Sequence, residues 1–213
     1  VTRTFPEADH PTHGQHPPIQ ARAQKTRAAI LDAAAHQFDV LGYAETSIST
    51  IIATGELTKG AIYFHFSSKE AIAKHLIDDW TRTLLETIAA SDTRTSTPER
   101  IRCVFSVIAR SVAHNTHLRA GMKLTLEPSI DNAAFTYWIR EIDALIQTAI
   151  TAHELDDHPL TRRLAWNLCA GVIGAAHAQT GGAEDFNLVT RIDDVVDAHL
   201  RTAASALCQN TSR

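Results

Sequence analysis

Between Thr46 and Glu70 the chain reads TSISTIIATGELTKGAIYFHFSSKE, and its most concentrated chemistry lies at Thr58-Lys59-Gly60. A hydroxyl, an ammonium and a residue without a side chain stand together at the start of a short helix. Thr58 caps that helix or donates to a phosphate, Lys59 reaches guanine O6/N7 or a phosphate, and Gly60 lets the backbone approach DNA closely. Tyr63 and His65 follow where a groove-entering helix meets the sugar-phosphate edge. Lys69 falls in the first turn of the next helix, whose free N–H groups also attract phosphate. Further upstream Arg22, Lys25 and Arg27 cluster with no acid among them. Each cation taken alone reads as a solvated surface residue, but the set reads as an anion-gripping face.

Net charge argues mildly against that reading. The chain carries −4 overall, and residues 1–70 hold six Lys/Arg against seven Asp/Glu. Binding to nucleic acid therefore has to come from local placement of cations and backbone groups. No nucleophile elbow, phosphate loop, HExxH or paired-carboxylate arrangement rises above chance, so the sequence carries no catalytic signature and calls for no cofactor. His10, His13 and His16 are spaced by three, but they lie in a proline-interrupted segment that forms no fixed face, so no metal site is expected. Cys103, Cys169 and Cys208 are dispersed and odd in number, which suits buried thiols in a reducing compartment. With no long apolar run and no basic-then-apolar leader, the expected setting is cytoplasmic and away from membranes.

The elements that must position these residues are helices. Residues 1–20 hold four of the seven prolines and read as a disordered extension. From there Leu31, Ala34, Phe38 and Leu41 recur at helical spacing up to Gly42. A short helix with Ile48, Ile51 and Ile52 follows, with Thr46 or Ser47 available as its cap. A tight turn at Gly55-Glu56-Leu57 leads to the helix that opens at Thr58. Two short helices about a three-residue turn are the geometry that sets the second into a major groove. Ser67 or Ser68 then caps a long helix whose stripe is Ile72, Leu76, Trp80, Leu84 and Ile88. Pro98 opens the next helix, and further helices are predicted at roughly 98–114, 117–127, 132–154, 159–180 and 185–207. The expected fold is all-α: a three-helix DNA-binding domain at 21–67, and a helical ligand-binding and dimerisation domain at 68–213.

The run F-D-x-x-G-Y (Phe38 to Tyr43), followed by T-K-G-A-I-Y-F-H-F-S-S-K-E (Thr58 to Glu70), resembles the tetracycline-repressor (TetR) family. Within it, the pattern is similar to the Streptomyces γ-butyrolactone receptors, strongly over about residues 22–90 and diffusely beyond. The resemblance implies a homodimeric repressor that binds double-stranded operator DNA and is released by a small autoregulator. It maps DNA contacts to Thr58, Lys59, Gly60, Tyr63, His65 and Lys69. One position departs from the pattern: Glu56 stands where the family usually has glycine. A non-glycine residue in the left-handed region costs roughly 1 kcal/mol, so the turn is expected to be rebuilt around Gly55.

The C-terminal half supplies apolar helices with few polar groups, including Trp80 and Leu84, Met122 and Leu126, Trp138, and Asn167. A mostly apolar cavity with one or two hydrogen-bonding groups suits a small lactone, furan or butenolide. By resemblance Trp138 is similar to the tryptophan that lines the receptors' pocket, and alignment around Gly174 places Asn167 where relatives carry a ligand-meeting hydroxyl. The bland alternative for all three polar aromatics and amides is ordinary core. In the last two helices Leu168, Gly171 and Ala175, with Ile192 and Val196, are small or apolar at helical spacing. They are expected to form a dimer interface as an intermolecular four-helix bundle, against the alternative of a purely intrachain core. Two rival functions stay open: a regulator of the same fold sensing diverse drugs, and an all-α protein in which the helix-turn-helix is merely structural.

Overall fold

A computed structural model describes residues 19–179 and 187–210. The proline-rich extension, its three histidines and the Gly181-Gly182 break lie outside the described residues. Among those described, the chain is all-α, with nine α-helices and one 3₁₀ turn. None of the helices is long and apolar enough to cross a membrane.

Helix α1 (Ile19–Glu45) packs its Ile30, Leu31, Ala34 and Phe38 inward and is broken at Gly42, whose φ of 81° only glycine adopts freely. Leu41 falls outside the stripe and is exposed. Helix α2 (Ile48–Gly55) starts at Ser47, whose hydroxyl accepts from Thr50 N (3.1 Å) while the Thr50 hydroxyl accepts from Ser47 N (3.0 Å). This reciprocal box satisfies two otherwise orphaned donors. Helix α3 (Lys59–His65) is capped by Thr58, and α4 (Lys69–Ala90) by Ser68.

The α2–α3 turn differs from expectation. Glu56 itself takes the left-handed conformation (φ 50°, ψ 40°) as the C-cap of α2, so the turn is not rebuilt around Gly55. Gly55 is needed for a different reason: a Cβ there would lie 2.7 Å from Leu57 Cδ1 and 3.1 Å from Ala33 Cβ. It is a close-approach glycine that lets Leu57 and α1 meet over the turn.

The remaining helices are α5 (Thr97–His114), α6 (Thr116–Leu124), α7 (Ala134–Thr151), α8 (Leu164–Gln179) and α9 (Leu188–Asn210). Pro98 sits in the first turn of α5 behind the Ser96 cap, and Asn115 both ends α5 and caps α6. Helix α6 stops at Leu124, short of the expected 127, and a 3₁₀ turn (Thr161–Arg163) precedes α8 after Pro159.

Buried side chains form two clusters. One gathers α1, Ile51, Ile62 and Phe66 around Ile72, Leu76 and Ile77; the other gathers α5, α7, α8 and α9 around Trp80, Phe105 and Trp138. Two helices belong to both. Helix α4 gives its first turns to the N-terminal cluster and Trp80 and Leu84 to the C-terminal one, while α6 gives Ala120 and Leu124 to the former and Met122 to the latter. These two helices also lie unusually close: a Cβ at Gly121 would collide with the Leu76 carbonyl oxygen. They act as a single strut between the clusters.

Candidate nucleic-acid interface and buried indole core

At the N-terminal end, the Thr58 hydroxyl accepts from Ala61 N (3.1 Å) and fixes the start of α3. That leaves Lys59 at the first position, exposed and in no ion pair, with its Nζ 6.0 Å from the Tyr63 ring centre. A Cβ on Gly60 would meet nothing within 4 Å. No intrachain contact therefore requires glycine here, and any steric demand for it comes from outside the chain. Tyr63 is half-exposed and His65 partly so.

Phe64 is 80% exposed, the most exposed large apolar side chain among the described residues, and meets His65 edge-on at 5.0 Å. Sequence reasoning passed it over, because an aromatic in a short helix reads as core by residue type alone. The phase was available, since Ile62 and Phe66 (both buried) flank it at the i±2 positions. An exposed Phe on a groove-reading helix is suited to contact a thymine methyl.

Lys69 is placed differently from the expected phosphate contact. Its ammonium donates to Tyr43 O (2.7 Å) and Thr46 O (2.8 Å) and sits 4.0 Å over the Tyr43 ring. The chain leaves α1 after Gly42 with carbonyls that no helix satisfies, and Lys69 takes them up. It straps α4 to the α1–α2 corner. Arg22 and Lys25 are exposed on the first turns of α1. Arg27 instead turns inward, 5.0 Å from the Phe66 ring centre and 3.3 Å from His75 Nδ1. Burial holds the His75 imidazole below its ordinary value, with the Arg27 charge adding to the effect against Asp79.

In the C-terminal cluster, Trp80 and Trp138 are 1% and 0% exposed, their rings 5.2 Å apart and near-perpendicular. Phe105 and Phe135 flank Trp138, each at 6.4 Å. Leu84 and Met122 belong to the same cluster. Both indole N–H groups are buried without an acceptor. Burying an unpaired donor costs about 1–3 kcal/mol, so two side by side are an unusual feature of an apolar core.

The other predicted pocket residues lie elsewhere. Leu126 is exposed, because α6 ends before it and the chain turns outward through Thr125. Asn167 lines a separate groove of about 280 Å³ with Leu160, Leu164, Ala198 and His199, between α8 and α9. On α8 it is half-buried, between exposed Trp166 and buried Leu168, and is not a member of the indole cluster.

The expected dimer stripe is also corrected in part. Leu168, Ile192 and Val196 are at most 1% exposed inside the chain's own core. Gly171 faces Val195, where a Cβ would lie 2.8 Å from Cγ1, so it serves the α8–α9 contact within the chain. Ala175 packs against the same core. Among the described residues of this region, the large apolar side chains left outward are Trp166 (58% exposed) and Leu160 (43%).

Two short capped helices meeting at a tight turn, set on a helical body, define a helix-turn-helix protein. Residues 30–76 match the family model for bacterial regulatory proteins, tetR family. Over 108 residues the chain is 40% identical to the A-factor receptor protein of Streptomyces griseus, a match that covers 51% of this chain and 37% of that one. Thus only a little over a third of that relative's length is spanned. Full-length TylP, a TetR regulator from Streptomyces fradiae, is 30% identical with a TM-score of 0.61, over 84% of this chain and 86% of its own. A γ-butyrolactone receptor described as ArpA-like superposes with a TM-score of 0.67 at 26% identity, over 85% of this chain and 99% of its own. The chain belongs to the tetR family of bacterial regulatory proteins. It is a relative of the γ-butyrolactone receptors, and its kin are transcriptional regulators rather than enzymes.

Proposed function

We propose that the chain is a cytoplasmic repressor that binds a pseudopalindromic operator as a homodimer and leaves it when a small γ-butyrolactone, furan or butenolide enters the indole core. Residues 21–67 read the DNA, and residues 68–213 hold the ligand and the partner. The single observation that carries this reading is the shared helix α4, which begins beside α3 and carries Trp80, one of the two orphaned indoles, against Trp138. A ligand oxygen accepting from Trp80 and Trp138 relieves their unmet hydrogen bonds and favours whichever tilt of α4 makes room for it. Dimer half-sites lie about 34 Å apart or a multiple of that, so a small tilt takes the two α3 helices out of register. Thr58, Lys59, Gly60, Tyr63, His65, Arg22 and Lys25 make the DNA face, joined by Phe64.

The dimer face is the outward side of α8 and α9 around Trp166, Leu160 and Asn167. The drug-sensing alternative gains no support here, because the only buried carboxylate among the described residues is Asp39, already paired with two cations.

The test is to select bound duplexes from random DNA and then titrate the complex with a γ-butyrolactone, a butenolide and a furan. Specific binding reversed by one of them is expected. Trp138→Phe keeps an aromatic ring but removes the pyrrole half with its N–H. It is expected to melt near wild type, bind the operator, and need a higher ligand concentration for release. Release at the wild-type concentration returns Trp138 to a purely structural role.

A further inference from the structure

Asp39, Arg119 and Lys123 make the most buried ion pairs among the described residues, with side chains 6%, 13% and 6% exposed. Arg119 Nε donates to both Asp39 oxygens (3.1 and 3.0 Å) and Nη2 to Oδ2 (2.8 Å), while its Nη1 donates to Val112 O (2.7 Å) at the end of α5. Lys123 Nζ donates to Asp39 Oδ1 (2.7 Å) and to the Asp39 carbonyl (3.1 Å). Burial opposes the Asp39 charge, but the bonds from Arg119 and Lys123 outweigh it and hold the carboxyl below its ordinary value. At the rim of the same α1–α6 seam, His117 Nε2 lies 2.7 Å from Asp32 Oδ1. The carboxylate thus ties α1 to α6, and Arg119 extends the tie to α5, with α1 supplying the acid and α6 the cations.

Such a cluster gains little stability over apolar packing, because taking three charges from water is costly. What it supplies is a fixed geometry. Helix α6 holds α1 through Arg119 and Lys123, which share a face. Between them Gly121 backs onto Leu76 of α4, and Met122 enters the indole core. We propose that Asp39 is the positioning residue through which the indole core sets the orientation of the DNA-reading helices: it touches no DNA, and it locks α1 to α6 in the operator-competent arrangement. The inference rests on the operator-binding reading above.

The test uses the full chain and an operator selected from random duplexes. Asp39→Asn leaves two cations facing an amide and unlocks the seam. Operator affinity is expected to fall roughly tenfold. The slope of log affinity against log salt stays unchanged, because a smaller competent fraction makes the same phosphate contacts. Amides of residues 36–45 and 116–124 exchange hydrogen faster. Lys123→Met alone keeps the Asp39–Arg119 pair and stays within about threefold of wild type. Asp39→Asn with Lys123→Met removes the repulsion but still lacks the lock, and binds no better than Asp39→Asn.

A folded Asp39→Asn with wild-type affinity and exchange overturns the proposal. So does a changed salt slope, or a double variant restored to wild-type affinity, which assigns the loss to unpaired buried charge alone. If Asp39→Asn does not fold, Arg119→Gln is judged by the same slope and exchange criteria. Failure of the wild-type chain to select any duplex counts against the operator reading alone, and exchange in the DNA-free protein still decides whether Asp39 locks α1 to α6.

Discussion

Lys59 and Lys69 carry the same charge and differ in what receives it. Lys59 stands at the open end of α3 in no ion pair, with only the Tyr63 ring 6.0 Å away, whereas Lys69 is held by two carbonyls and an aromatic face. Lys59→Ala is expected to weaken operator binding by about 1–3 kcal/mol with melting unchanged. If its partner is a phosphate, the salt slope drops by about 1; if a guanine, discrimination at one base pair relaxes instead. Lys69→Met is expected to behave in the opposite way. It loses two charge-assisted bonds, lowers stability by about 1–3 kcal/mol in denaturant melts, and leaves the salt slope alone. A reduced slope for Lys69→Met returns that residue to the DNA face. Gly60→Ala adds a methyl into open space, so the fold tolerates it, and weakened operator binding measures how closely DNA approaches α3.

At the scale of elements, the caps explain why so much was legible. Ser47, Thr58, Ser68 and Asn115 each satisfy an N–H of the first turn, a local bond that depends on residue type and position. The helix-turn-helix, the break at Gly42 and the start of α5 follow from such local rules. Periodicity is equally local but says only that a face is buried, not against what. For that reason Leu168, Ile192 and Val196 read as a partner-facing stripe although their neighbours lie in the same chain. Lys69 was illegible for a related reason: its acceptors are 23 and 26 residues away in sequence. Glu56 gives the element-scale prediction. Glu56→Gly removes a side chain from the left-handed region and is expected to stabilise the protein by up to about 1 kcal/mol in thermal melts. It also removes a negative charge next to α3, so operator affinity should rise rather than fall. A lower melting temperature would show that the Glu56 side chain earns its conformation through a contact of its own.

For the molecule as a whole, α4 and α6 contribute buried side chains to both clusters, and a change at either end is expected to be felt at the other. The thiols offer a probe of that unity. Burial pushes the Cys169 thiol far above its ordinary value, while Cys103 is exposed on α5. A thiol reagent at mildly alkaline pH is expected to modify Cys103 at once and Cys169 only at the rate of global unfolding. Early modification of Cys169 would show that the C-terminal cluster opens independently of the N-terminal one.

The placement of the three tryptophans gives this protein a built-in optical gauge. Trp80 and Trp138 meet edge-on in a buried core, and Trp166 lies on the outer surface of α8, at the proposed dimer face. Replacing Trp166 by Phe leaves emission from the buried pair alone, blue-shifted and shielded from acrylamide. Any molecule that accepts a hydrogen bond from those indoles changes the colour and lifetime of that light. Candidate signals can therefore be screened on unlabelled protein, without knowing the operator it serves.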